Sequence, residues 1–351
     1  MREVAVVGFA QRQEMKFQGS PTCVEHLVPV FADCFAQTGW SKEQIGFWCS
    51  GSSDYLAGRS FSFVSAVDAI GALPPVNESH VEMDAAWALY EAWLKIQTGD
   101  VDSALVYGFG KASAGTLRRT MSLQLDPYTM TPLWPDSVSL AGLQARQGLE
   151  RGVWSEADVA GVVSRSHQDA LENEYAVVSG QLSVDDVLAQ PMYADPLRKV
   201  DCAAPSDGVA AMIIAAADAT GFENLGSRPA WITGFEHRID SMRLGSRDLT
   251  TSPSAAAAGA AAGAHTVDTA ELHAPFAHQE IILRTALGLT DEVKVNPSGG
   301  ALCGNPMFAS GLIRIGEAAK RIWSGESNRA LGHATSGPAL QQNLVCVMEG
   351  R

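Results

Sequence analysis

VNPSGGALCGNPMFASGLIRIGEAAK, residues 295–320, decides the fold of this 351-residue chain. Pro297, Gly299, Gly300, Gly304 and Pro306 punctuate its first half with residues that turn or restrict a backbone, and Gly311 follows where the stretch runs into a helix. Cys303 lies inside these tight turns, two residues before Asn305. Outward from this loop, apolar strands are expected at about residues 4–9, 47–50, 104–107 and 210–215, alternating with helix-like segments at 24–37 and 85–97. A second half opens with a strand at 230–235 and closes with one near 343–348. Between them the alanine run at 254–264 reads as a short buried helix, because Ser252 supplies an N-cap and Pro253 an N1 proline. Such alternation predicts sheets sandwiched between helices, in two α/β halves joined near residues 220–228, although no sequence repeat is visible.

Composition narrows the function classes. The length exceeds one ordinary domain, and 46% hydrophobic against 18% charged residues is enough to bury a large core. No apolar run approaches the ~18 residues that span a bilayer, and no signal peptide precedes the first strand, so a cytoplasmic protein is expected. Cys23, Cys34, Cys49, Cys202, Cys303 and Cys346 are scattered without a C-x-x-C pair, which suggests reduced, buried thiols and no zinc or other metal site. A formal charge of −14 argues against nucleic acid and anionic membrane as partners, since both require a basic footprint.

The stretch at 295–320 resembles the C-terminal signature of thiolases, N-P-x-G-G followed by G-H-P-x-G-x-x-G and a helix. Asn296, Pro297, Gly299, Gly300, Gly304, Pro306 and Gly311 fall on that pattern, with one residue fewer between its halves. Asn305 stands at the family's histidine position. The resemblance covers nearly the whole chain and is nearest to the sterol-carrier-protein and lipid-transfer-protein type. Residues 2–10 (REVAVVGFA) look like the first strand, 96–113 (IQTGDVDSALVYGFGKAS) like the third strand and its flanks, and 195–197 with 206–211 like the segment closing the first half. Residues 271–276 (ELHAPF) match the E-L-H-D-C-F motif. The resemblance implies a thiolase-like α/β fold, two similar βαβαβ-type halves in α/β/α/β/α layers. It divides the chain at 1–220, carrying a coenzyme A loop region at about 110–200, and 221–351. A homodimer, or a heterodimer with another thiolase-like chain, is implied as well.

Chemistry turns on what the sequence lacks. In thiolases a cysteine at the N-terminus of a central helix attacks the thioester. Counting back from Ala88, Leu89 and Gly99, that position falls on Glu82, with no cysteine within about thirty residues. A carboxylate there forms no acyl-enzyme thioester, and the helix dipole favours its ionised form. The alternative reading is structural, since Ser79-x-x-Glu82 is also a capping box. The family's second cysteine is replaced by the stretch at 333–338 (HATSGP), and Cys346 falls in the last strand. Cys303 is therefore the one candidate reactive thiol, and the alternative reading is a free buried thiol beside a tight turn.

What the resemblance leaves is an oxyanion site of His273 and Asn305 on facing loops, with Asn305 as N–H donor and His273 donor or acceptor according to tautomer. His278 is expected on the surface of the following helix, and nothing local assigns His333 or His80. No cofactor is expected to be permanently bound; coenzyme A enters as the thioester substrate. As a polyanion it needs a local basic patch, for which Lys111, Arg118 and Arg119 are the first candidates, beside the glycines Gly299 and Gly300, with Arg198 and Lys199 as a second cluster. Enolate stabilisation without a covalent nucleophile points to retro-aldol cleavage of a 3-hydroxyacyl-CoA in steroid or lipid side-chain degradation. Resembling proteins work with a small OB-fold/zinc-ribbon partner. The alternative is a catalytically silent subunit, or a lipid-binding protein, that scaffolds an active partner.

Overall fold

The computed structural model describes residues 2–19, 22–57, 60–71, 76–225 and 228–351, so residues 226–227 of the expected junction lie outside the described residues. The first half contributes Val4–Glu14 (β1), Phe47–Gly51 (β2), Glu78–Val81 (β3), Ser103–Lys111 (β4) and, after a small pair Met192–Ala194 (β5) and Leu197–Arg198 (β6), Pro205–Ala216 (β7). The second contributes Ala230–Ile239 (β8), Thr269–Glu271 (β9), Lys294–Val295 (β10), Asn305–Pro306 (β11), Arg329–Ser336 (β12) and Gln342–Gly350 (β13). In the main sheet the order is β10-β9-β12-β13-β8-β1-β7-β4-β2-β3, with β11 attached to β7.

Pairing directions reveal the repeat that the sequence hides. In the first half β2 runs parallel to both β3 and β4, β4 is antiparallel to β7, and β7 to β1. In the second, β9 runs parallel to both β10 and β12, β12 is antiparallel to β13, and β13 to β8. The two five-stranded arrangements match strand for strand and meet where β1 pairs with β8.

Layering follows from the side-chain period of two. Along β1, Val4, Val6 and Phe9 enter the core that also holds the helices Ala85–Thr98 and Ser310–Trp323, whereas Ala5, Val7 and Ala10 pack beneath the helix Val24–Thr38. Along β13, Leu344, Cys346 and Met348 join that same central core, while Val345 and Val347 face the helices Pro253–Ala262 and Ala277–Ala286. Both faces of these strands are covered, which is why they read as unbroken apolar runs. The result is an α/β/α/β/α stack with two helices in its middle layer. Each fully buried Leu, Ile or Met there contributes roughly 1.5–3 kcal/mol. As expected, Ser252 caps the alanine helix, accepting from the Ala255 N–H, and Pro253 is its first residue.

The two central helices begin at one carboxylate. Asp84 is the N-cap of Ala85–Thr98 and accepts the Ala86 N–H at 2.9 Å. Its other contacts reach the second helix, from Gly311 N–H at 2.9 Å and Leu312 N–H at 3.2 Å. Gly311 is required for this approach, because a Cβ there would stand 2.5 Å from both Asp84 Oδ1 and the Ala334 methyl. The Ala85 N–H, also at a helix start, is satisfied by the Phe308 carbonyl at 2.9 Å. The capping box expected from Ser79 and Glu82 does not form: Ser79 lies within β3, the helix starts at Ala85, and Glu82 is exposed. Removing a cap costs ~1 kcal/mol, and Asp84 caps two helices while buried. Asp84→Ala is therefore expected to destabilise the protein by about 2 kcal/mol or more in urea unfolding, with Asp84→Asn losing less. A loss under about 0.5 kcal/mol would contradict the shared-cap assignment.

Candidate functional site

Above the N-termini of the central helices lies a cavity of about 740 Å³. Asp84, His167, His273, Asn305 and Phe308 lie on its wall, which is otherwise mostly apolar and includes Met121, Leu140, Phe276 and Leu302. His273 follows β9 and Asn305 begins β11, whose backbone N–H donates to Ser206 Oγ at 3.0 Å at the start of β7. The side chains meet, His273 Nε2 to Asn305 Oδ1 at 3.0 Å. Because the Thr335 N–H donates to His273 Nδ1 at 3.4 Å, the imidazole proton belongs on Nε2, which donates to Asn305 Oδ1. The Asn305 amide N–H group then has no acceptor among the described residues and is left for the cavity. Burial, reinforced by neighbouring His333, lowers the His273 pKa to about 3, so the ring is neutral at pH 7.

A buried polar frame holds these loops. Glu271, two residues before His273, accepts the Ser298 N–H at 3.0 Å and the Ser298 hydroxyl at 2.7 Å, and pairs with Arg314 at 3.1 Å. Arg314 also donates to Ser298 Oγ at 2.7 Å, so the second central helix, β9 and the 295–300 loop share one cluster. Asn296, in the left-handed region at φ 52°, accepts the Leu272 N–H at 2.6 Å and donates to Glu280 at 2.7 Å. Glu280 in turn takes a two-pronged contact from Arg165, both distances 2.7 Å. Gly299 and Gly300 turn the loop at φ 89° and 64°; they do not line the cavity, and their part is backbone geometry.

Several expected residues fall elsewhere. Glu82 is not on the cavity wall and, among the described residues, reaches only His80, at 3.4 Å. Cys303 does not line the cavity either: it is buried, its thiol is pushed up to about 12 by desolvation, and it donates to the Ser166 carbonyl at 3.4 Å. The reactive-thiol reading of Cys303 is thus corrected to a core thiol, and the cysteine on the cavity wall is Cys202. Of the basic candidates, Arg118 and Lys199 line the cavity, whereas Lys111 is buried opposite Asp207 in the β4–β7 pairing, and Arg119 is exposed off the wall. Arg198 is buried and held by Glu156 at 2.8 Å and the Leu188 carbonyl at 3.1 Å. His278, expected on a surface, is fully buried against Gln144 at 3.1 Å. His333 is buried against Asn343 at 3.0 Å. Sequence reasoning missed Asp84 and His167. An aspartate directly before Ala85-Ala86 is a readable helix start, but no local signal marks His167.

Similarity to known proteins agrees with this geometry. No family model matches the chain. Sterol carrier protein 2 of Rattus norvegicus is 24% identical over 311 residues, 78% of this chain, and the chain spans 56% of that relative's length. Human mitochondrial 3-ketoacyl-CoA thiolase superposes with a TM-score of 0.80 at 16% identity, covering 100% of this chain and 99% of its own. The structure described as the Ltp2-ChsH2(DUF35) aldolase superposes with a TM-score of 0.79 at 17% identity, covering 99% and 98%. The fold is that of the thiolases. Over 78% of its length the chain is also similar in sequence to sterol carrier protein 2.

Three buried histidines set an acid limit. His273 and His278 are lowered to about 3 and His333 to about 4, in each case chiefly by burial. A free imidazole titrates near ~6.5. Below that value the unfolded chain binds protons that the folded chain refuses, so stability is fully present above it and is lost as pH falls toward 4. Urea unfolding at pH 7, 6 and 5 is expected to show this loss. His278→Gln should reduce the slope by up to about 1.4 kcal/mol per pH unit, one proton's worth. An unchanged slope in that variant would refute the assignment.

Proposed function

We propose that this chain acts in the cytosol on acyl-coenzyme A thioesters without forming an acyl-enzyme, and that it cleaves a 3-hydroxyacyl thioester by a retro-aldol reaction in the degradation of steroid or other lipid side chains. One observation carries the reading: the neutral His273–Asn305 pair faces an apolar cavity, and the helix start beside that cavity bears the carboxylate of Asp84 and no thiol. An amide N–H aimed at the thioester oxygen stabilises the charge that grows there as the C2–C3 bond breaks, and one such donor is worth about 10²–10³ in rate. The apolar wall strengthens this effect and suits a bulky hydrocarbon acyl group. Asp84 already accepts three N–H groups at the two helix N-termini, so an anionic intermediate is not drawn to the place where helix dipoles would otherwise favour it. Likeness to a solved aldolase over nearly the full chain is consistent with this chemistry.

Arg118 and Lys199 are the basic residues we assign to the coenzyme phosphates. Arg118 pairs with Asp136 and stacks over the Tyr193 ring at 5.7 Å, which pre-orients it at the cavity wall. A dimer with itself or another thiolase-like chain, and a small OB-fold/zinc-ribbon partner, belong to the same proposal.

Incubation with acyl-CoA should give no adduct by intact-mass spectrometry, while the assembled protein should turn over members of a 3-hydroxyacyl-CoA panel. Asn305→Ala should lower kcat about 100-fold with an unchanged melting temperature. A stable acyl adduct would overturn the non-covalent reading, and an inactive assembled complex would make the chain a scaffold. Arg118→Ala with Lys199→Ala should weaken coenzyme A binding and flatten its salt dependence, because each removes a phosphate-pairing charge. Unaltered affinity in calorimetry would move the coenzyme site elsewhere.

A further inference from the structure

Retro-aldol cleavage needs a group that accepts the substrate's hydroxyl proton, and most polar groups on the cavity wall are already committed. Both ring nitrogens of His273 are engaged, one by the Thr335 N–H and the other by Asn305. Asp84 takes three backbone N–H groups and holds two helices in place. Cys202 has a thiol pushed up to about 12 by burial, Arg118 and Lys199 are assigned to the coenzyme phosphates, and Tyr193 is half exposed beneath Arg118.

His167 differs from all of these. It lies on the cavity wall in the last turn of the helix Glu156–Asp169, is only 9% exposed, and neither ring nitrogen has a hydrogen-bond partner among the described residues. Its position relative to Asn305 is fixed by backbone. The carbonyl of Ser166 accepts the Cys303 thiol at 3.4 Å, the Cys303 carbonyl accepts the Val178 N–H at 3.2 Å, and the His167 carbonyl accepts the Gly180 N–H at 3.1 Å. The turn bearing His167 is thereby fastened to the loop that reaches Asn305 two residues after Cys303. Desolvation lowers the pKa of the imidazole and so favours its neutral form, the one that accepts a proton. Once charged, it sits at the carbonyl end of a 14-residue helix, where the macrodipole favours a cation.

Resting on the retro-aldol reading above, we infer that His167 is the catalytic base of this site. An unprotonated ring nitrogen takes the proton of the C3 hydroxyl, and the freed O–H pair becomes the second bond of a carbonyl at C3. The C2–C3 bond breaks, its electron pair passes through C2 to the thioester oxygen held by Asn305, and the imidazolium then returns the proton to C2. The products are a ketone or aldehyde and a shortened acyl-CoA.

The test uses the full chain in its native assembly with the 3-hydroxyacyl-CoA panel. His167→Gln should lose at least about 100-fold in kcat with little change in KM or melting temperature, on the usual scale for removing a general base. His167→Ala should regain activity with added imidazole, a rescue that a merely structural residue would not show. Wild-type kcat in His167→Gln overturns the inference and leaves the retro-aldol reading standing. A native assembly that turns over no member of the panel overturns both.

Discussion

The Asp84 carboxylate is the constraint on which the rest of this architecture depends. A five-layer stack buries the N-terminal turns of two helices, and each brings unpaired N–H groups into the interior. Asp84 resolves part of both problems at once, because its two oxygens serve Ala86, Gly311 and Leu312. One residue thus fixes the relative position of elements 226 residues apart in sequence, Asp84 and Ser310. Burial pushes its pKa up while those N–H donors pull it down. The carboxyl is therefore a brace placed at the edge of the cavity.

The second half repeats the device with different residues. Glu271 and Arg314 are almost wholly inaccessible, and an isolated ion pair so placed gains little over its desolvation cost. Its neighbours change that balance: Ser298 supplies both a hydroxyl and a backbone N–H, so the carboxylate is surrounded by donors. The pair sets the geometry of the loops that carry His273 and Asn305. Breaking one partner would leave a buried charge, which is why such a cluster behaves as a unit.

How much of this was legible depended on whether the signal was local. The long elements announced themselves: the helices expected at 24–37 and 85–97 run from Val24 to Thr38 and from Ala85 to Thr98. The strands β9 and β10, of three and two residues, are too short for any periodicity, and the repeat of the two halves lives in their pairing directions. Motif spacing brought His273 and Asn305 together because both sit in signature loops. At Glu82 it reached a residue off the cavity wall, while the helix start belongs to the capping aspartate immediately before Ala85. His278 was misplaced because its partner, Gln144, belongs to a helix 134 residues earlier. Cys303 lay in the right loop but faces the helix Glu156–Asp169, so its contact is a fastening between backbone segments.

The electrostatic character of the site follows from the same separation of roles. The chain carries a formal charge of −14, yet the groups facing each other at the His273–Asn305 contact are neutral. Near the site, ionisable groups are paired inside dry clusters, as with Glu271 and Arg314, tied to backbone N–H groups, as with Asp84, or basic side chains on the cavity wall, as with Arg118 and Lys199. In a low-dielectric pocket a fixed neutral dipole interacts strongly with charge that develops during a reaction and weakly with an uncharged ground state. In the retro-aldol reaction proposed above, a full positive charge at His273 would hold the anionic thioester enolate more tightly but would also trap it. Burial keeps that ring neutral, so in the proposed reaction an uncharged donor would discriminate the transition state from the ground state.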